Sequence, residues 1–374
     1  RDSNPNDEGD WYAANECGTG YPASNSSWHG THVAGTIAAV TNNSTGVAGT
    51  AFNAKVVPVR VLGKCGGYTS DIADAIVWAS GGTVSGVPAN ANPAEVINMS
   101  LGGSGSCSTT YQNAINGAVG RGTTVVVAAG NSNTNVSSAV PANCPNVIAV
   151  AATTSAGARA SFSNYGTGID VSAPGANILS TLNTGTTVPA SASYASYNGT
   201  SMAAPHVAGV VALMQSVAPS PLSPAQVESI LKSTARALPG ACSGGCGAGI
   251  VDADAAVTAA INGGGGTTPE PGGTVLQNNV PVTGLGASSG ASLSYTVQVP
   301  AGSSQLRVAI SGGSGDADLY IRQGSAPTDT TYTCRPYLSG NNETCTVNSP
   351  AAGTWHVRVK AYSTFSGLTL NAQY

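Results

Sequence analysis

Charge is the first thing this chain is short of. Only 8 % of its 374 residues are Asp, Glu, Lys or Arg, against about 25 % in a typical soluble domain. A net charge of −4 offers nothing to a polyanion, so neither nucleic acid nor an anionic membrane surface is expected as a partner. No apolar run approaches the roughly 20 residues that span a bilayer, so no membrane anchorage is expected. Cys-x-x-Cys spacing is missing, and no histidine cluster lies beside Cys242 or Cys246, which weakens a zinc reading. No signal peptide follows Arg1, and the chain is expected to be a mature form or a fragment. Residues 1–28 contain no Val, Ile, Leu, Met or Phe. No buried strand can be built from them.

What is abundant is glycine, at 49 residues. Polarity must come from Ser, Thr, Asn and the backbone. The eight cysteines, at 17, 65, 107, 144, 242, 246, 334 and 345, form an even set. They allow on the order of a hundred pairings. The simplest is sequential: Cys17 with Cys65, Cys107 with Cys144, Cys242 with Cys246, Cys334 with Cys345. Paired cysteines together with few lysines point to an oxidising, extracellular setting.

Two halves read differently. From about 29 to 261, apolar runs alternate with helical patterns. Strands are expected at "KVVPVRVL" (55–62), "EVINMSL" (95–101), "TTVVVAAG" (123–130), "NVIAVAA" (146–152) and "GIDVSAPG" (168–175). Apolar side chains on successive positions mark strands buried on both faces. Helices are expected at 30–40, 70–80, 109–120, 202–217, 224–236 and 253–261, with Ser223-Pro224 as N-cap and first-turn proline. The alternation predicts an α/β domain, doubly wound, with a mostly parallel sheet and helices on both faces. "NGGGGTTPEPGG" (262–273) reads as a linker. Beyond it, period-two segments at 292–299, 305–310, 317–322, 354–360 and 368–374 predict a small antiparallel β-sandwich over 274–374.

Certain short segments carry chemistry. "SSWHGTHVAGT" (26–36) runs a polar loop into a histidine and a small-residue helix. "VVVAAGN" (125–131) ends a buried strand in Gly130-Asn131, where α/β sheets place ligands. "NGTSMAAPHVAG" (198–209) leads Ser201 into a helix N-terminus, whose N–H groups and dipole suit a developing oxyanion. Alone, such a serine is a cap and such a histidine is structural; the structural reading is kept for His32, His206 and His356.

Together, "SSWHGTHVAGT", "VINMSLGG", "VVVAAGN" and "YNGTSMAAPHVAG" resemble the subtilisin-like serine proteases, the subtilases, in the order of that family. "GGSGDADLYIR…GTWHVRVKAYSTFSG" resembles the bacterial pre-peptidase C-terminal domain. The resemblance implies a secreted serine endopeptidase with a catalytic domain over 1–261. Ser201 would be the nucleophile and His29 the base, then the acid. Asn131 would donate to the oxyanion. Ser100, Leu101, Gly102 and Gly103 would pair with an extended peptide. Ala128, Ala129 and Gly130 would border the first specificity pocket, leaving room for a bulky apolar side chain. It also implies a precursor with an N-terminal propeptide, protein or peptide substrates, a monomer, and no organic cofactor. The family's cis proline would fall at Val140–Pro141.

The family's Asp-Thr-Gly or Asp-Ser-Gly does not precede His29. The expectation is that it lies upstream of Arg1, or on a separate chain. Were it truly absent, the alternative is a pseudoprotease that binds extended peptides without cutting. Asp2, Asp7 and Asp10 suit a loop calcium site, for which hard oxygen ligands are needed; Asp316 and Asp318 are a weaker candidate. Tyr320, Tyr332, Tyr337, Trp355, Tyr362 and Phe365 could instead present a surface for insoluble protein, although strand filling accounts for most of them.

Overall fold

A computed structural model describes residues 7–261, 274–287 and 289–374. The expected linker at 262–273 and Asp2 lie outside them. The chain divides into two compact units, Arg1–Gly266 and Thr267–Tyr374.

The first unit holds helices α1 (His29–Ala38), α2 (Thr69–Ala79), α3 (Thr109–Gly120), α4 (Thr200–Val217), α5 (Pro224–Thr234) and α6 (Ala253–Ile261). Its strands are β1 (Val96–Met99), β2 (Gly103–Ser104), β3 (Thr124–Ala128), β4 (Ala139–Val140), β5 (Ile148–Thr153), β6 (Val171–Pro174), β7 (Ile178–Asn183) and β8 (Ala192–Tyr197). β1, β3, β5 and β6 form one sheet in that order, parallel throughout. Successive side chains of β3 enter different cores. Val126 and Ala128 pack with residues of α4 and α5, whereas Val125 and Val127 pack with residues of α2 and α3. A strand covered on both faces has no place for polar alternation, which is why these runs are continuously apolar. Outside this sheet, β2 pairs antiparallel with β4, and β7 with β8, which follows it in sequence.

Local signals act as the sequence predicts. Ser223 accepts from Gln226 N in a capping box, with Pro224 in the first turn of α5. Val140–Pro141 is cis. The four disulfides are the sequential ones, Cys17–Cys65, Cys107–Cys144, Cys242–Cys246 and Cys334–Cys345.

One expected strand does not form. Residues 55–62 join no ladder, and Val56, Val57, Val59 and Leu62 are exposed. β1 is the edge of the parallel sheet among the described residues. A β-prone run becomes a strand only when a neighbour supplies its hydrogen bonds, and no described neighbour does so here.

The second unit comprises β9 (Thr274–Leu276), β10 (Val282–Ala287), β11 (Ser292–Val299), β12 (Gln305–Ser311), β13 (Ser314–Gln323), β14 (Glu343–Asn348) and β15 (Gly353–Gln373). The two strands expected at 354–360 and 368–374 are one long strand. Its first half pairs with β11 and β13, its second with β10 and β12. Register shifts opposite residues 361–370 mark irregularities that let β15 change partners along its length. The antiparallel expectation is corrected in one place, where β9 lies parallel to β11. Of the aromatic residues considered for a binding surface, Tyr320, Trp355 and Phe365 are buried, while Tyr332, Tyr337 and Tyr362 are exposed.

Helix α4 is buried over most of its length, and small side chains make that feasible. Ala203, Ala204 and Ala208 are buried within it, and Gly209 faces Thr50, whose Cβ would lie 2.6 Å from a Cβ added there. Thr50 cannot rotate its own Cβ away. Gly209→Ala should therefore lower stability by about 1–3 kcal/mol through overpacking, seen as a drop of several degrees in melting temperature; an unchanged Tm would count against this packing.

Candidate active site

The site is built around the start of α4. Its N-cap, Gly199, has no side chain to offer the first helical N–H groups. The cap comes instead from the strand end at β3: Asn131 Oδ1 accepts from Thr200 N (2.8 Å) and from Thr200 Oγ1 (2.9 Å). With its oxygen so occupied, the Asn131 amide must present its NH₂ on the other side, and the residue is solvent-exposed. Thr200 Oγ1 also accepts from Gly130 N (3.0 Å). One threonine hydroxyl thus ties Gly130 and Asn131 to the residue before Ser201.

Pro205 makes the second link. Having no N–H, it leaves the carbonyl of Ser201 without its helical partner four residues on. Ser100 Oγ donates to that carbonyl (2.7 Å), and Ser201 Oγ donates back to Ser100 O (3.3 Å). Asn98 Nδ2 donates to Ser100 Oγ (3.0 Å) and steadies it. β1 and β3 are neighbours, with Met99 opposite Val127. Ser100 and Ala128 therefore emerge side by side at the carboxyl end of the sheet. Leu101 and Gly102 lie outside the strands, and Gly103 opens β2 against Val140. Ala128 and Ala129 are buried. The structure therefore gathers Ser100–Gly103, Ala128–Asn131 and Ser201 into one region.

His29 is the first residue of α1, which packs against α4 and β7. Its ring is half-buried. Burial pushes its pKa down, the neighbouring His32 adds to this, and the Asp10 carboxylate opposes it. A neutral imidazole can accept a proton. Among the described residues, its ring makes no hydrogen bond to Ser201 Oγ or to any carboxylate. Catalytic hydrogen bonds are commonly long before substrate arrives. The segments of His29 and Ser201 are nevertheless joined through Tyr197, at the end of β8. Its hydroxyl donates to Ser27 O (2.7 Å), and its ring stacks on His32 at 4.5 Å. His32 is fully buried, with Nε2 3.0 Å from both Ile178 O and Ala195 O, and keeps the structural role expected of it. So does His206, whose Nδ1 lies 2.8 Å from Met202 O.

Sequence reasoning missed Thr200, Tyr197 and Asn164. Buried Asn164 donates to Ala129 O (2.8 Å) and accepts from Ser132 N and Thr134 N (3.1 Å each), bracing the loop that holds Asn131. No spacing in the sequence marks it, because its partners lie some thirty residues away. The family motif itself contained Thr200 and Tyr197, but their side-chain roles needed coordinates.

Of the acidic N-terminal residues considered for calcium, Asp7 and Asp10 are among the described residues and face different partners. Asp7 Oδ1 accepts from Gly9 N (2.9 Å) and lies 3.6 Å from Arg60. Asp10 engages Ser27 through both oxygens. Among the described residues, no three His, Cys, Asp or Glu side chains converge as metal ligands, at Asp316 and Asp318 included. Asp318 pairs instead with Arg335 (3.3 Å). Among the described residues, no helix is long and apolar enough to cross a membrane.

Comparison with known proteins accords with this geometry. Residues 2–249 match the Subtilase family, and residues 291–361 match the Bacterial pre-peptidase C-terminal domain. The whole chain is 79 % identical to an "Extracellular protease" of Xanthomonas campestris pv. campestris, covering 64 % of that protein. It is 52 % identical over 279 residues, 72 % of this chain, to an "Extracellular basic protease" of Dichelobacter nodosus, covering 46 % of it. Among solved structures, a protease from Pseudoalteromonas arctica PAMC 21717 shares 63 % identity at a TM-score of 0.67, over 69 % of this chain and 78 % of that one. The chain thus spans about half to two thirds of the length of these curated relatives.

The shift at His29 can be measured directly. An NMR titration of its ring protons should show a midpoint below the ordinary value of about 6.5, falling further in Asp10→Asn, which removes the charge that favours the imidazolium. A midpoint at or above the ordinary value would contradict the burial argument.

Proposed function

This chain belongs to the subtilase family, and on that premise we propose that it is a secreted serine endopeptidase that cuts proteins through an acyl-enzyme on Ser201. His29 takes the Ser201 proton as Oγ attacks the scissile carbonyl carbon. The Asn131 NH₂ group and the Ser201 backbone N–H receive the oxyanion. His29 then returns the proton to the departing amine, and water repeats the sequence on the ester, releasing the acid and restoring Ser201. Ser100–Gly103 pair with the substrate backbone as an added strand, while Ala128, Ala129 and Gly130 border the pocket for the residue before the cut.

The observation that carries this reading is the pair of hydrogen bonds that Thr200 N and Thr200 Oγ1 donate to Asn131 Oδ1. It fixes which end of the amide faces outward, immediately beside the serine at a helix N-terminus. Secretion draws its support from the names of the relatives and from four disulfides in a chain with no free cysteine among the described residues. The propeptide, the monomeric state and structural calcium rest on family membership.

A fluorophosphonate probe should label Ser201 in the native enzyme, and Ser201→Ala should abolish labelling and turnover together. Asn131→Ala should lower kcat by about 10²–10³ with little change in KM, the loss found for an oxyanion donor within this family. Peptide affinity with neither labelling nor product would sink the protease reading in favour of a binding protein.

A further inference from the structure

Helix α1 starts on a residue ill suited to start it. Trp28, the N-cap, has φ 47° and ψ 30°, a left-handed conformation that is costly for a bulky side chain, and its side chain caps nothing. Such strain persists only where the surroundings over-determine it. Here they do. Trp28 is 7 % exposed, and its indole Nε1 donates to Gly185 O (2.6 Å).

The cap is supplied one residue earlier. Ser27 Oγ accepts from His29 N (3.3 Å). Ser27 is in turn held at every polar atom. The Asp10 carboxylate accepts from its N–H (2.7 Å) and from its hydroxyl (2.6 Å), and the Tyr197 hydroxyl donates to its carbonyl (2.7 Å). Hydrogen bonds to an ionised carboxylate are roughly twice as strong as neutral ones. Asp10 is aimed by Gly9, which has φ 85° and where a Cβ would come within 2.1 Å of Ser26 Oγ and 2.2 Å of Thr187 O. Arg60 Nη2 donates to Gly9 O (3.3 Å). Tyr197 reaches Ser27 from β8, the strand that leads into α4 four residues before Ser201.

Two segments remote in sequence therefore converge on the residue two positions before His29. We propose that Asp10 and Tyr197 are positioning residues that act through Ser27, fixing the first turn of α1 and so aiming the His29 imidazole at Ser201. This rests on the protease reading above. Neither side chain is asked to touch substrate. Their effect is orientation, and a displacement of about 1 Å in a catalytic group can cost about 10²-fold.

The test uses the active enzyme with Asp10→Ala, Asp10→Asn, Tyr197→Phe and the Asp10→Ala/Tyr197→Phe double variant. The readouts are kcat and KM on a chromogenic peptide, the rate of fluorophosphonate labelling of Ser201, and melting temperature. Each Ala or Phe variant should slow kcat and labelling by one common factor of about ten, leaving KM within about twofold. The double variant should be no more than about twofold slower than the slower single, because both act through one residue. Asp10→Asn, which keeps an acceptor for Ser27 N, should recover part of the loss. Tyr197→Phe removes one atom and keeps the stack on His32, so it answers even where Asp10→Ala does not fold. Rates within twofold of the unsubstituted enzyme, a loss confined to KM, or a lowered melting temperature with labelling unchanged would each overturn the inference. Failure of the unsubstituted enzyme to label would instead defeat the protease reading itself.

Discussion

The start of α4 is the constraint on which the rest of the site depends. A helix this deeply buried cannot leave its terminal polar groups to water. Gly199 has no side chain to cap it, and Pro205 removes a hydrogen bond from its first turn. Both deficits are met from elsewhere in the fold, by Asn131 on Thr200 and by Ser100 on the Ser201 carbonyl. The groups that complete the helix are therefore the groups that surround Ser201. Satisfying the backbone and assembling the chemistry are one requirement here.

The composition makes sense in the same terms. With few charges, the polar bonds around the site come from Ser, Thr, Asn and Tyr acting on main-chain atoms, as at Thr200, Asn164 and Tyr197. Such neutral contacts are short-ranged and directional, so they hold only if the backbone is placed closely. Small residues in α4 permit that approach, and the disulfides tie down the outer loops. Cys17–Cys65 joins the loop before α1 to the strandless segment 55–65. Ion pairs are mostly at exposed positions, such as Lys64–Glu16, where each is worth little.

Much of this was legible in the sequence, for identifiable reasons. Helix positions and the strands of the parallel sheet follow from hydrophobic period; residues 55–62 fail to pair, and the polar β7–β8 pair escaped the reading, because pairing is not a property of one segment. In the second unit, the period-two segments 354–360 and 368–374 belong to the single strand β15, whose register shifts between them. In the acidic loop, Asp10 holds Ser27, a partner no local pattern announces.

The division between the two sources of information is physical. Sequence by itself determined the two-part architecture and the buried parallel strands, and its motifs singled out His29, Asn131 and Ser201 as candidates, because period, composition and motif are properties of contiguous residues; which cysteines pair was left to the fold. Tertiary structure alone decided which end of the Asn131 amide faces out, why the Ser201 carbonyl needs Ser100, and how Ser27 is gripped from two sides. Each of these is a hydrogen bond between groups far apart along the chain, and such a bond exists only once folding has placed donor and acceptor within about 3 Å of one another.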